Sequence, residues 1–97
     1  MRLRIRESAL DDLADGRIFD ERQGGKALGE YFFNSVFADI DSLILYHGIH
    51  GKVGDYHRVL ARRFPYAVYY KMGEDAVEVC RVLDCRQDPD EIRERLK

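Results

Sequence analysis

The sequence predicts an α+β fold: an N-terminal strand, a helical hairpin, a three-strand antiparallel meander and a short C-terminal helix. Three patterns predict it. Residues 2–6 alternate strictly, two stretches of helical apolar spacing flank Gly24-Gly25, and three β-branched and aromatic runs follow between Tyr56 and Leu83. With 97 residues, 45% of them apolar, residues 1–97 are expected to form a single domain with one modest two-layer core.

In the first run Arg2, Arg4 and Arg6 share one face and Leu3 and Ile5 the other, the period of a half-buried edge or near-edge strand. Ser8 followed by Asp11 reads as an N-cap with an acid at the third position. From there Leu10, Leu13, Ala14 and Ile18 recur at helical spacing to about Gln23, and Gly16 is expected to weaken that helix by about 1 kcal/mol relative to Ala. After Gly24-Gly25 a second helix runs to residue 44, with Leu28, Phe32, Val36, Ile40 and Leu43 on one stripe and Phe33, Phe37 and Ile44 beside it. So wide an apolar arc must bury more than one side, against its partner helix, a sheet and a second chain. Residues 47–55 hold three glycines without periodicity and read as a loop. Strands are predicted over 56–63, 66–71 and 76–83, with Phe64-Pro65 and Gly73-Glu74-Asp75 between them. Asp88-Pro89-Asp90 then opens a C-terminal helix whose end carries Arg93, Arg95 and Lys97.

At 35% charged residues the chain has no apolar run near the roughly 20 residues of a membrane span, and its first six residues lack the apolar stretch of a signal peptide. A cytoplasmic protein without membrane contact is expected. Cys80 and Cys85 are too few and too close for a disulfide framework and are read as reduced thiols. The net charge of -2 hides a polarised distribution: residues 7–42 hold three basic and nine acidic groups, residues 52–71 five basic and one acidic. Different surfaces can therefore meet different partners, while the overall charge argues against nonspecific nucleic-acid binding.

His47, His50, His57, Cys80 and Cys85 are suitable atom types for zinc, yet they lack the paired, close-spaced ligands of structural zinc sites, so no metal is expected. Gly24-Gly25-Lys26 and Gly51-Lys52 lack the spacing of a phosphate loop and read as turns, and no organic cofactor is implied. Arg58, Arg62, Arg63, Arg81 and Arg86 lie where neighbouring strands could gather guanidinium groups on one sheet face to hold phosphates or carboxylates. The plainer alternative is a solvated face with ion pairs to Glu74, Asp75 and Glu78. Tyr66, Tyr69 and Tyr70 read first as sheet packing.

The run Tyr-His-Arg-Val-Leu-Ala-Arg-Arg-Phe-Pro-Tyr-Ala-Val-Tyr-Tyr at 56–70, Val-Glu-Val-Cys-Arg-Val-Leu at 77–83 and Arg-Gln-Asp-Pro at 86–89 resemble the ParE branch of the RelE/ParE toxin superfamily. Asp12-Leu13, Gly24-Gly25, Leu28-Gly29, Phe32 and the run to Leu43 resemble that family's helical hairpin, so the likeness covers nearly the whole chain. It implies the toxin of a bacterial type II toxin–antitoxin pair, of the kind known from plasmid stabilisation. Such a toxin is held in a hetero-oligomer by a cognate antitoxin whose extended or helical tail wraps it. ParE-type members are known as poisons of DNA gyrase, whereas RelE-type members cut messenger RNA in the ribosome.

The RelE type looks to use basic residues on the strand equivalent to 56–62, an arginine on the next strand, and an arginine with a tyrosine or histidine near the C-terminus. Arg86 matches the C-terminal arginine and His57 or Arg58 a basic position, but Ala67 stands in place of the strand arginine and Ile92 in place of the terminal tyrosine. Cleavage by a 2′-hydroxyl needs a proton acceptor and cations on the phosphorane, so losing both positions favours a binding inhibitor without catalytic residues. On this reading Arg63, Tyr66, Arg81 and Arg86 bind the target, and Leu28, Phe32, Phe33 and Phe37 bind the antitoxin. A ribosome-dependent endoribonuclease is the alternative. Asp84-Cys85-Arg86-Gln87, standing where closer relatives often have His-Gly-Arg-Arg, leaves a decayed, non-toxic binding module as a third reading.

Overall fold

The computed structural model describes all 97 residues. In chain order the elements are β1 (Arg2–Ile5), α1 (Glu7–Gly24), α2 (Lys26–Asp41), α3 (Leu43–Tyr46), β2 (Lys52–Val53), β3 (Tyr56–Leu60), β4 (Tyr66–Met72), β5 (Ala76–Asp84) and α4 (Pro89–Arg95). The α+β plan read from the sequence is the one observed, with two additions to the meander. β1 joins it parallel to β5, and the two-residue β2 pairs with β3 inside the segment read as a loop. The strand order is β1-β5-β4-β3-β2.

A bulge sets which side chains enter the core. Tyr69 faces Arg81 but Tyr70 faces Val79, so Cys80 is the extra residue of β5. The parity of the strand flips there, and Val77, Val79 and Val82 all reach the main core under the helices. Tyr66, Val68 and Tyr70 of β4 meet them, with Ala9 and Leu13 of α1, Phe32, Val36 and Ile40 of α2, and Leu43. On the opposite face Ala67, Tyr69 and Leu83 form a small second cluster covered by Ile92 and Leu96. Asp88 caps α4 by accepting from the Asp90 N–H at 2.8 Å, with Pro89 at the first turn as predicted.

Three local expectations are corrected. Ser8 does not cap α1: the helix starts straight from the strand, with Arg6 at the cap position, and the Ser8 hydroxyl donates instead to the Cys80 carbonyl at 2.7 Å. The buried stripe of α1 is Ala9, Leu13, Gly16 and Asp20, so Leu10 and Ile18, each 46% exposed, and Ala14 lie outside. The second helix ends at Asp41, because the Ser42 hydroxyl donates to the Asp39 carbonyl at 2.6 Å, a local competitor for a ladder acceptor, and a separate turn, α3, follows.

Small residues explain the chosen face. A Cβ on Gly16 would stand 2.5 Å from the Phe32 ring, and one on Gly29 only 3.0 Å from the Arg17 carbonyl, so both glycines let the hairpin helices close on each other. Gly25, at φ +90°, supplies the left-handed residue between them. Gly16 is therefore a packing requirement. Gly16→Ala, which gains about 1 kcal/mol in an open helix, is expected here to lose about 1–3 kcal/mol by overpacking. Urea midpoints check this, and a more stable variant would contradict the close approach.

Candidate target-binding surface

The four residues assigned to target binding have different fates. Arg81 is consumed by the fold. Its Nε and one terminal nitrogen donate to the two carboxylate oxygens of Asp12, both at 2.8 Å, and its other terminal nitrogen donates to the Arg95 carbonyl at 3.0 Å. Asp12 also accepts from the Val82 N–H at 2.9 Å. The Arg81 and Asp12 side chains are 20% and 9% exposed, so Arg81 is not a cation on offer to a target. Tyr66 is buried, with its ring edge-on to Phe32 at 4.8 Å. Burial, then the nearby Asp84 and Asp20 carboxylates, push its phenol up to about 12, which makes it a proton holder and not a base.

Arg86 stays 58% exposed but is bidentate to Asp84, at 2.9 and 2.7 Å, and its guanidinium lies 5.9 Å from the Phe19 ring centre. Asp20 is buried nearby with its Oδ2 unpartnered. Burial raises its pKa above the usual carboxylate range, against the pull of Arg86 and with the push of Asp84. This acid was not anticipated, although its place on the stripe Ala9, Leu13, Gly16, Asp20 would have signalled it had the correct helix face been known. A cleft beside it, lined by Asp15, Phe19, Tyr66, Asp84, Gln87 and Arg95, carries more carboxylate than guanidinium and suits no phosphate. Arg63 alone of the four is exposed without any ion pair, on the β3–β4 turn, with Arg62 beside it and Arg58 on β3 equally unpaired. The turn is held by the Asp39 carboxylate, which accepts from the Arg62 N–H at 3.1 Å.

The positions where the RelE type carries an arginine and a tyrosine meet in the second cluster. Ala67 is fully buried there and Ile92 packs against it. His57 lies on the other face, stacked on Tyr70 at 5.0 Å and donating from Nδ1 to the His50 carbonyl at 2.8 Å. His50 Nδ1 is 2.6 Å from the Tyr70 hydroxyl, and His47 Nδ1 bonds the Leu43 carbonyl at 2.9 Å. No three His, Cys, Asp or Glu side chains come together as a metal site. Cys80 and Cys85 are both free thiols.

Of the residues assigned to the antitoxin, Phe32 is fully buried and has no surface to offer, while Leu28, Phe33 and Phe37 are half-buried along the hairpin. The larger apolar surface lies past α2, where Leu45 stands 77% exposed and Ile49 (74%) and Leu60 (57%) line a groove with Asp39, His50 and Arg62. The Ile44-Leu45-Tyr46 run was its sequence signal. β3 is also open there. Ala61 bonds inward to the Tyr66 carbonyl, so by antiparallel alternation the Leu60 N–H and C=O point away from β4, beyond the reach of β2.

No protein-family model and no curated protein matches the chain. Among solved structures, a chain described as "Chromosomal ParDE TA system from P. aeruginosa" superposes with a TM-score of 0.76 at 14% identity, over 84% of this chain and 92% of that one. The fold is ParE-like. No helix of this ParE-like chain is long and apolar enough to cross a membrane.

Asp12→Ala leaves the Arg81 charge and the Val82 N–H without their acceptor and should cost about 3 kcal/mol. Asp12→Asn keeps one acceptor and should cost less. Chemical denaturation of both checks this, and a loss under about 1 kcal/mol, the scale of a surface pair, would contradict the anchoring role. Burial, reinforced by His57, lowers the His50 pKa, so the unfolded chain binds a proton before the native state does. Stability from His50 is present above about pH 6.5, the unperturbed value, and falls as pH drops towards the depressed native pKa. Between pH 7.5 and 5.5 the denaturation midpoint of the parent should therefore fall more than that of His50→Gln. Parallel pH profiles would refute it.

Proposed function

We propose that this chain is the toxin of a bacterial type II toxin–antitoxin pair, acting in the cytoplasm by binding DNA gyrase, and silenced in a hetero-oligomer with its cognate antitoxin. The ParE-like fold supports the pairing with an antitoxin. Support for binding over cleavage comes chiefly from the Ala67–Ile92 cluster: where a nuclease needs a cation and a titratable group, this chain has closed apolar packing, and His57 is turned to the other face. Target contact falls to Arg63, with Arg58, Arg62 and the half-occupied Arg86, while Arg81 and Tyr66 support them from within.

The exposed Leu45, Ile49 and Leu60 and the open β3 edge suit an extended antitoxin segment that adds a strand, with Leu28, Phe33 and Phe37 completing the hairpin side. Arg58, Arg62 and Arg63 beside that edge favour an acidic segment. Laying it there would cover the same cations that grip the target, which makes neutralisation a direct competition.

Inducing the gene alone should give filamentation with DNA damage, relieved by the product of the adjacent antitoxin gene. Arg63→Ala combined with Arg62→Ala should weaken toxicity without moving the melting temperature, His57→Ala should change toxicity little, and Ile49→Glu with Leu60→Glu should weaken antitoxin binding about 100-fold or more, the scale of two lost anchors. Primer extension on messages from induced cells is the counter-test. Codon-positioned cuts that vanish with His57→Ala would replace this reading with a ribosome-dependent nuclease, and absence of any growth defect would leave a non-toxic binding module.

A further inference from the structure

Where the second half of α1 meets the exit of β5, buried polar atoms are left without partners. Asp20 is only 9% exposed and forms no ion pair, and its Oδ2 is shut off from solvent with no hydrogen-bond partner. The Gln87 Oε1 is in the same state. Tyr66, 7% exposed, makes no side-chain hydrogen bond through its hydroxyl, which a Cβ on Gly16 would approach to 3.3 Å. Tyr66, Gln87 and Asp15 are walls of one cleft of about 230 Å³. Asp20 follows Phe19, another of its walls, and lies near enough to Tyr66 for its carboxylate to oppose ionisation of the phenol. An unpaired buried acceptor is costly, so each of these atoms marks a place for a donor. With a carboxylate among them, the donor that fits is a cation. The guanidinium groups nearby are engaged elsewhere, Arg86 bidentate to Asp84 and Arg81 to Asp12. The oxygens do not form a metal-ion set, whereas Phe19, Val82 and Leu83 give a carbon stem an apolar wall.

We propose that this cleft binds a small organic cation, a guanidinium or primary ammonium on a short carbon chain, whose N–H groups donate to Asp20, the Gln87 Oε1 and the Tyr66 oxygen. A guanidinium fits best, because its planar fork meets both oxygens of a carboxylate and its face stacks on an aromatic ring such as Phe19. Asp15, exposed and without an ion pair, adds negative charge at the rim. The inference stands whether or not the chain is toxic.

Titrating butylguanidinium chloride into the isotope-labelled full chain tests it, with sodium chloride at equal ionic strength as the control. The guanidinium salt should give saturable amide shifts at residues 15–20, 66 and 84–87, and the sodium salt should not. Asp20→Asn keeps the shape of the side chain and should weaken binding about tenfold or more, as loss of a charge-assisted hydrogen bond predicts. Gln87→Met, outside the helix, should weaken it about threefold or more and keeps the test open if Asp20→Asn disturbs α1. Asp15→Asn, at the exposed rim, should cost less than about threefold. Shifts that sodium chloride reproduces, or an Asp15→Asn loss as large as that of Asp20→Asn, would overturn the proposal, since water would then fill the cleft and only surface charge would attract the cation. A capped Gly-Arg-Gly peptide should bind no tighter than butylguanidinium. Tighter binding would overturn the small-molecule assignment and give the cleft to an arginine side chain of another protein.

Discussion

One carboxylate joins three parts of this fold. β1 covers β5 only from Ala76 to Val79, leaving the remaining edge of a central strand open. α1 closes it: Ser8 donates to the Cys80 carbonyl, and Asp12 accepts from the Val82 N–H. Arg81 projects on the far face, bends round the edge to the same carboxylate, and reaches the last turn of α4 through the Arg95 carbonyl. Such a pair is stabilising only while complete, because a part-buried charge left alone is costly. Its completeness fixes the rotation of α1 about its axis. That rotation buries Ala9, Leu13 and Gly16 and turns Leu10, Asp11, Asp15 and Ile18 outward.

The second constraint is close approach. Gly16 admits the Phe32 ring, which meets Tyr66 at 4.8 Å and Phe64 at 5.1 Å, both near edge-on. The hairpin thereby reaches the β3–β4 turn through aromatic packing, and Asp39 ties the same turn from the other helix end through the Arg62 N–H. Arg62 and Arg63 are thus carried on a braced turn with their side chains free. Conformational freedom near that surface lies in long arginine side chains more than in the backbone beneath them.

Charge compensation sorts the surfaces better than charge alone. Arg2, Arg6, Arg81 and Arg86 each face an acid across 2.7–2.8 Å and are neutralised locally. Among the cations without an ion pair, Arg58, Arg62 and Arg63 stand together at β3 and its turn, and among the acids without one, Glu7, Asp11 and Asp15 line α1, away from that edge of the sheet. The polarity that the segment counts suggest is real in space, but pairing decides which charges take part.

Periodicity in the sequence by itself determined the element order, the two-helix and meander plan, the glycine break and the capped C-terminal helix, because each depends on residues within a few positions of one another. It could not determine which face of α1 is buried, since Leu10-Ala14-Ile18 and Ala9-Leu13-Gly16 are both stripes of helical spacing and only contacts distant in sequence, Arg81 on Asp12 and Phe32 against Gly16, choose between them. The bulge at Cys80, the short β2 and the exposed groove around Ile49 and Leu60 were hidden for the same reason: register and partnering are made between separate segments, not within one. Arg81 shows the limit for function. Its sequence neighbourhood is that of a basic sheet residue open to a target, and only the tertiary structure brings Asp12, 69 positions away, to claim it.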